Sequence, residues 1–404
     1  MVYQASGVYP LLSRRQAHCQ VATLRMLVSN LILYFEQNVK KIEEAGIPPK
    51  YKCLGFLPED SVKAAQFYGG KDIRVETVPD PTPEEEQILV QVEAAGICGS
   101  DLHGYHHQPE KPQSPRIGGH ELAGLVIDTG KGVTAYEKGA RVAVEPISPC
   151  NNCPECYNGY YNICGNLRHG GGGFAEFMVA RKANVYALPE SVSPEGGALA
   201  EVYAVAVHAV NRAMVSPGDR VAIIGSGPVG LTIAQVADVA GATSIAMLGK
   251  PDGPIQIAHE AVGAVPINVD KTDAVEAIKD WSDGRGADVV FEAVGGTANT
   301  LEQATEIAAK RGRVCMVGGH RTPLTFSERF ARSRELTVIW SFCYGRRGGK
   351  TEFQVAIDLL AAGKLDPNPL VTHRFDLDDI NEAFAVAAGR DEHGSVKVLV
   401  TPNN

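Results

Sequence analysis

The sequence predicts an α/β protein in which a mainly β portion precedes a doubly wound parallel sheet. Three observations carry that prediction. Short β-prone runs, separated by Gly, Pro and acidic turns, fill the chain from Val62 to about Val202. Beyond that point strands alternate with helices, and the strands are continuously apolar, as in a parallel sheet covered on both faces. Finally, Gly225-Ser226-Gly227-Pro228-Val229-Gly230 stands between an apolar strand and a helix start.

In chain order, the β-prone runs are 63–68, 88–92, Leu122 to Ile127, Arg141 to Val144 and Phe174 to Val179. Their irregular spacing predicts mostly antiparallel pairing. The alternating half reads as strand Arg220 to Ile224, helix Pro228 to Ala240, and strand Ser244 to Leu248. Strands follow at Ala287 to Phe291 and Arg313 to Val317, each reached through a helical stretch. The tail reads as helix Glu352 to Ala362, helix Asp378 to Ala388 and strand Ser395 to Val400.

The chain's 404 residues exceed one ordinary core, so two domains plus an appendage are expected. Its 38 basic and 47 acidic residues give a formal charge of −9, which argues against a nucleic-acid partner. Composition is ordinary for a globular protein, with 44% hydrophobic and 21% charged residues. No apolar run reaches the length of a membrane span; the best, Met26 to Phe35, is broken by Ser29 and Asn30. Four of nine cysteines fall between Cys150 and Cys164, which favours metal over disulfides and a reducing, cytoplasmic setting.

Residues 1–60 read as a separate extension, acid-free before Glu36, with Arg14, Arg15 and Arg25 and an amphipathic spacing from Leu24 to Ile42. A loosely attached extension is the expected reading, and organelle targeting the alternative.

The glycine run fits a dinucleotide loop. Gly225 serves the tight turn, Gly227 the close approach of backbone to diphosphate, and Gly230 the helix–strand packing; Pro228 and Val229 open the helix whose positive end would face the phosphates. An acid at the end of the second strand would bind the ribose and repel a 2′-phosphate. Gly249 and Lys250 stand there instead, which favours NADP over NAD, although Asp252 nearby competes with that reading.

Two metal constellations are legible. Cys150-x2-Cys153-x2-Cys156-x7-Cys164 can close a four-thiolate shell, the mark of structural zinc. Cys98, His120 and Glu121 form a dispersed set whose mixed donors leave a position for substrate, as catalytic zinc requires.

These residues carry a resemblance. Gly119-His120-Glu121-x2-Gly124-x5-Gly130-x2-Val133, the cysteine loop and the later glycine run resemble, in the same order, the zinc-dependent medium-chain alcohol dehydrogenases over Val62 to Pro402. The resemblance implies a GroES-like catalytic domain at 61–203, a Rossmann NAD(P)-binding domain at 204–344, and a return to the catalytic domain at 345–404. It implies Cys98, His120 and Glu121 at catalytic zinc, with Glu201 as a further ligand in the manner of the sorbitol, butanediol and threonine dehydrogenases. Val202 departs from that branch, which carries proline there.

It further implies a proton relay through Ser100 and His103, a small alcohol or polyol substrate, and a homodimer or homotetramer. The expected function is reversible hydride transfer between a secondary alcohol, polyol or vicinal diol and NAD(P). An L-threonine-type amino-alcohol dehydrogenase and a catalytically silent cofactor-binding relative are the alternatives. The Arg346-Arg347-Gly348-Gly349-Lys350 run is expected to be a solvated loop, and Cys315 and Cys343 isolated residues.

Overall fold

Gln87–Gly96 and Glu121–Thr129 build the first sheet; both are mostly buried and neither has an exposed residue, because these apolar strands are covered on both faces for most of their length. The computed structural model describes residues 61–107, 109, 114–250 and 252–403; the expectations for residues 1–60 fall outside them. Gln87–Gly96 lies centrally, paired antiparallel with Glu121–Thr129, Phe177–Arg181 and the C-terminal strand Lys397–Thr401. Val371–Asp376 extends that sheet in parallel to Lys397–Thr401, and Arg141–Val144 with Val185–Ala187 completes its other edge. The last strand of the chain is therefore knitted into the first sheet.

The second sheet is six-stranded and parallel. Its spatial order is Val265–Asn268, Ser244–Gly249, Arg220–Ile224, Ala287–Glu292, Ala308–Met316 and Thr337–Trp340. Succession runs outward in both directions from Arg220–Ile224, so the order reverses between that strand and Ala287–Glu292. Ligand crevices of doubly wound sheets open at such a point, beyond the carboxyl ends of the strands. The glycine run leaves the sheet there.

The helix Ala200–Arg212 joins the two sheets. Its Ala200, Val202, Ala206 and Val210 are buried in one apolar cluster with Ala123 and Ala143 of the first sheet and Val221 and Ile223 of the second. The helix is buried nearly all round, which fixes the sheets as one body, and Glu201 is buried with it at the first turn.

Several expected boundaries shift: the strand expected at Arg313 to Val317 spans Ala308–Met316, and that expected at Ser395 to Val400 spans Lys397–Thr401. The strand expected from Phe174 begins at Phe177, because Phe174 itself is fully buried and its N–H donates to the Gly118 carbonyl instead of a ladder partner. The helix expected from Asp378 begins at Ile380, after a 3₁₀ turn over Leu377–Asp379.

Candidate metal and nucleotide sites

The Gly99–His106 helix starts immediately after the central strand, and its local chemistry positions the first ligand. Asp101 Oδ2 accepts the Cys98 N–H at 2.9 Å, fixing the turn that presents the Cys98 thiol. Asp101 Oδ1 lies 3.6 Å from His120 Nδ1. One carboxylate thus orients two prospective ligands, as metal-ligating histidines require of their outer partners. Cys98, His120 and Glu121 bring their ligand atoms within 4.8 Å of one another.

The electrostatics of this cluster favour a cation. Burial alone would lower the His120 pKa, but Asp101 and Cys98 outweigh it and raise it to about 12. Glu121 is buried, and its carboxylate accepts from Lys397 Nζ at 2.7 and 2.6 Å. Gly96 makes room for that carboxylate, since a Cβ there would stand 2.1 Å from Glu121 Oε2. Lys397 also donates to the Ile97 carbonyl at 3.2 Å, so its ammonium is saturated. Glu121 is therefore charge-compensated before any metal arrives.

Glu201 is buried close to the same group without belonging to the three-residue cluster. Burial pushes its carboxyl up to about 7; His120 and Lys397 pull against this, and Glu121 adds to it. Cys343 also faces this region. Burial, with Glu201 second, pushes its thiol up to about 12. Its neighbourhood was invisible in the sequence, where Cys343 has no partner pattern.

Of the two expected relay residues, Ser100 lies beside the cluster, its Oγ 3.5 Å from His120 Nε2. His103 lies one turn further along the same exposed face, and burial followed by Arg321 and His106 lowers its pKa. Among the described residues no hydrogen bond joins it to Ser100.

The four-cysteine loop is drawn into a tight knot with all four thiols free. Sγ–Sγ separations are 3.3 Å for Cys153–Cys156, 3.5 Å for Cys150–Cys164, 3.8 Å for Cys153–Cys164 and 4.0 Å for Cys150–Cys156. A tetrahedron with zinc–sulfur bonds of about 2.3 Å has edges of about 3.8 Å. The donor set and its spacing fit zinc. The Cys150 N–H, the largest influence, helps pull the Cys164 thiol down to about 7, toward the thiolate that metal binding needs.

At the sheet crevice, Gly225 turns with φ +110° and Gly227 precedes the Pro228–Val239 helix. At Gly230 a Cβ would stand 1.9 Å from the Gly225 carbonyl oxygen, so the helix packs as closely as the dinucleotide loop demands. Gly249 ends the second strand against the Ser226 side chain. Lys250 is exposed, 3.8 Å from Asp270. Asp252 is engaged by Lys271 at 2.6 Å and Asn268 at 2.7 Å. The Arg346–Lys350 run is an exposed hairpin whose Arg347 donates to Asn211 and whose Lys350 pairs with Asp358.

Sequence reasoning passed over Asp101 and Lys397. Asp101 was within reach, three residues after Cys98, because a ligating histidine calls for a second-layer acid. Lys397 was not, since 276 residues separate it from Glu121.

Comparison with known proteins agrees with this geometry. Residues 84–190 match the family described as alcohol dehydrogenase GroES-like domain, and residues 228–362 the family described as zinc-binding dehydrogenase. The chain is 32% identical to sorbitol dehydrogenase of Bacillus subtilis over 355 residues, covering 85% of this chain and 98% of that protein. It is 34% identical to (R,R)-butanediol dehydrogenase of the same organism over 359 residues, covering 85% and 100%. A zinc-binding dehydrogenase from Sinorhizobium meliloti, solved with NADP, superposes with a TM-score of 0.77 at 32% identity, over 85% of this chain and all of the other.

Proposed function

The chain belongs to the zinc-dependent medium-chain alcohol dehydrogenase family, and from that premise we propose how its residues act. It is an NAD(P)-dependent alcohol or polyol dehydrogenase, interconverting a secondary alcohol, polyol or vicinal diol with the ketone. The observation that carries this reading is the mixed thiol, imidazole and carboxylate cluster at Cys98, His120 and Glu121, chemically distinct from the four-thiol knot. Four thiolates close a metal's shell, whereas three mixed donors leave room for a reacting oxygen.

Cys98 and His120 hold the catalytic zinc, with Glu201 and Glu121 as the nearby carboxylates; Cys150, Cys153, Cys156 and Cys164 hold the structural one. When bound, zinc acidifies the substrate hydroxyl and the nicotinamide accepts the hydride. Ser100 takes the hydroxyl proton beside His120 and His103 passes it to solvent, its lowered pKa keeping the imidazole neutral and ready to accept. Gly225, Gly227, Pro228, Val229 and Gly230 seat the dinucleotide.

NADP is the preferred cofactor in this reading. Gly249 presents no carboxylate to a 2′-phosphate, Asp252 is already occupied by Lys271, and Lys250 stands free enough to turn toward it. Residues 61–203 with 345–404 form the catalytic domain and 204–344 the cofactor domain. A homodimer or homotetramer, located in the cytoplasm, completes the proposal. No helix among the described residues is long and apolar enough to cross a membrane.

The test is reduced-nicotinamide formation by zinc-replete protein, with NAD and NADP offered separately against 2,3-butanediol, sorbitol, xylitol, glycerol and L-threonine. Turnover of a diol or polyol, lost to chelator and restored by zinc, is expected. Turnover of L-threonine alone, or none at full zinc occupancy, overturns the substrate reading. Lys250→Ala should raise the KM for NADP about tenfold, the worth of one charge-assisted hydrogen bond, and leave that for NAD unchanged.

A further inference from the structure

Tyr344 carries a hydroxyl that the fold buries without a partner. It follows the Thr337–Trp340 strand, where the chain leaves the cofactor sheet, and its side chain is wholly withdrawn from water. Among the described residues the hydroxyl makes no hydrogen bond. A buried polar group in that condition costs stability, and calls for a neighbour that turns to meet it. The segment around it is held firmly. The Phe342 carbonyl accepts from Asn162 at 2.7 Å, the Gly345 N–H donates to Glu352 at 2.7 Å, and the ring packs on Phe353 with centroids 5.8 Å apart. Tyr344 is therefore fixed, and its acceptor must come to it.

Burial, then Glu201, then Glu145 raise the Tyr344 pKa well above the ordinary phenol value, so it remains a donor throughout the physiological range. Of the two carboxylates, Glu145 is already served, with Tyr161 donating to one oxygen at 2.6 Å and Tyr186 to the other at 2.7 Å. Glu201 is the acceptor that remains. It is buried on the first turn of the Ala200–Arg212 helix. Burial is the largest influence on its carboxyl, and the Tyr344 hydroxyl is among the groups that favour the ionised form. A carboxylate that ligates a metal through one oxygen needs its other oxygen fixed, and an outer donor does this. We propose that Tyr344 is the positioning residue of Glu201, its O–H donating to one carboxylate oxygen so that the other is presented to the zinc held by Cys98 and His120. The proposal rests on the reading of Glu201 as a ligand, and deepens it. It also ties that ligand to the closure of the fold. Glu352 accepts from Gly345, next to Tyr344, and from His208 and Asn211 on the helix that carries Glu201.

Competition for zinc against a chelating dye, on the whole zinc-loaded chain, tests this. Tyr344→Phe keeps the ring on Phe353 and removes only the hydroxyl. Zinc affinity at the mixed-donor site should fall about 10- to 100-fold, with the four-thiol zinc retained. With cobalt(II) in place of the mixed-donor zinc, the visible absorption bands should shift in Tyr344→Phe, because the carboxylate changes its approach to the metal. A hydroxyl that merely packs would leave them unmoved. Glu201→Ala should weaken the same site, and adding Tyr344→Phe to it should cost no more than about a further twofold, since both changes disturb one contact. Unchanged affinity and an unchanged cobalt spectrum in Tyr344→Phe, with Glu201→Ala impaired, overturn this inference alone. Equal losses from Tyr344→Phe in the parent and Glu201→Ala backgrounds also overturn it, by giving the hydroxyl another partner. Zinc lost from both sites, together with a lowered melting temperature, makes Tyr344 a structural residue and overturns it as well. If Glu201→Ala binds zinc as tightly as the parent protein, Glu201 is no ligand, and that reading fails together with the inference.

Discussion

Asp101 shows how one side chain sets the character of the proposed Cys98 metal site. Its two oxygens are divided between the Cys98 N–H and His120 Nδ1, so the thiol and the imidazole are aimed by the same carboxylate. The negative charge it shares with Cys98 raises the His120 pKa to about 12 against the effect of burial. The pocket is thus tuned to hold a positive charge, and zinc must displace a proton to enter. Asp101→Asn keeps the shape and removes the charge. Zinc affinity at the Cys98 cluster should fall about 10- to 100-fold, measured by chelator competition, with the four-thiol site unaffected. Equal affinity in parent and variant would mean that the ring is oriented by packing alone. The four cysteines were legible because their spacing encodes coordination chemistry, whereas Cys98 and His120 were legible through the family resemblance, since isolated residues of these types do not by themselves mark a site. Lys397 was not, because its contact with Glu121 comes from the tertiary return of a distant segment.

Among the elements, the Ala200–Arg212 helix is the one on which the site most depends. It carries Glu201 at its start and, further along, His208 and Asn211, which hold Glu352 at 2.6 and 2.8 Å. Glu352 also accepts the Gly345 N–H at 2.7 Å, tying the return segment to this helix. Burial raises the Glu352 pKa, yet His208, Gly345 and Asn211 together hold it below the ordinary carboxyl value. A lowered folded pKa means stabilisation that is complete above the ordinary carboxyl value and lost as pH falls through the folded one. Glu352→Gln should therefore lower the melting temperature by several degrees near neutrality, about 2 kcal/mol of stability. The gap between parent and variant should close at acid pH. A gap independent of pH would assign the effect to packing instead of charge. At this scale the parallel strands were readable, since their apolar runs alternate with helical periods. Val371–Asp376 was not, because Thr372, His373 and Arg374 give it no apolar run and its partner strand supplies the order.

For the whole molecule, the two proposed metal sites should differ in what the loss of their metal does. The four-thiol knot stitches its own loop together and reaches residues 342–346, where Asn162 donates to the Phe342 carbonyl at 2.7 Å and the Arg346 N–H to that of Gly159 at 2.8 Å. The Cys98 cluster lies instead among strands and helices already fixed by burial, with Glu121 compensated by Lys397. Both of its ends were visible as motifs, but the closure of the fold by the last strand followed only from the family resemblance, because no local signal pairs Leu399 with Gly96. Stepwise chelation should remove the mixed-donor metal first, since three protein donors hold it less firmly than a closed thiolate shell. Activity should vanish at that step while the melting temperature changes little. Removal of the second metal should lower the melting temperature sharply, because the loop loses the bonds that order it and takes the 342–346 anchor with it. Metal content, activity and melting temperature measured on the same samples decide the matter. Loss of the second metal without destabilisation would show that the thiol knot holds its shape through its own backbone hydrogen bonds.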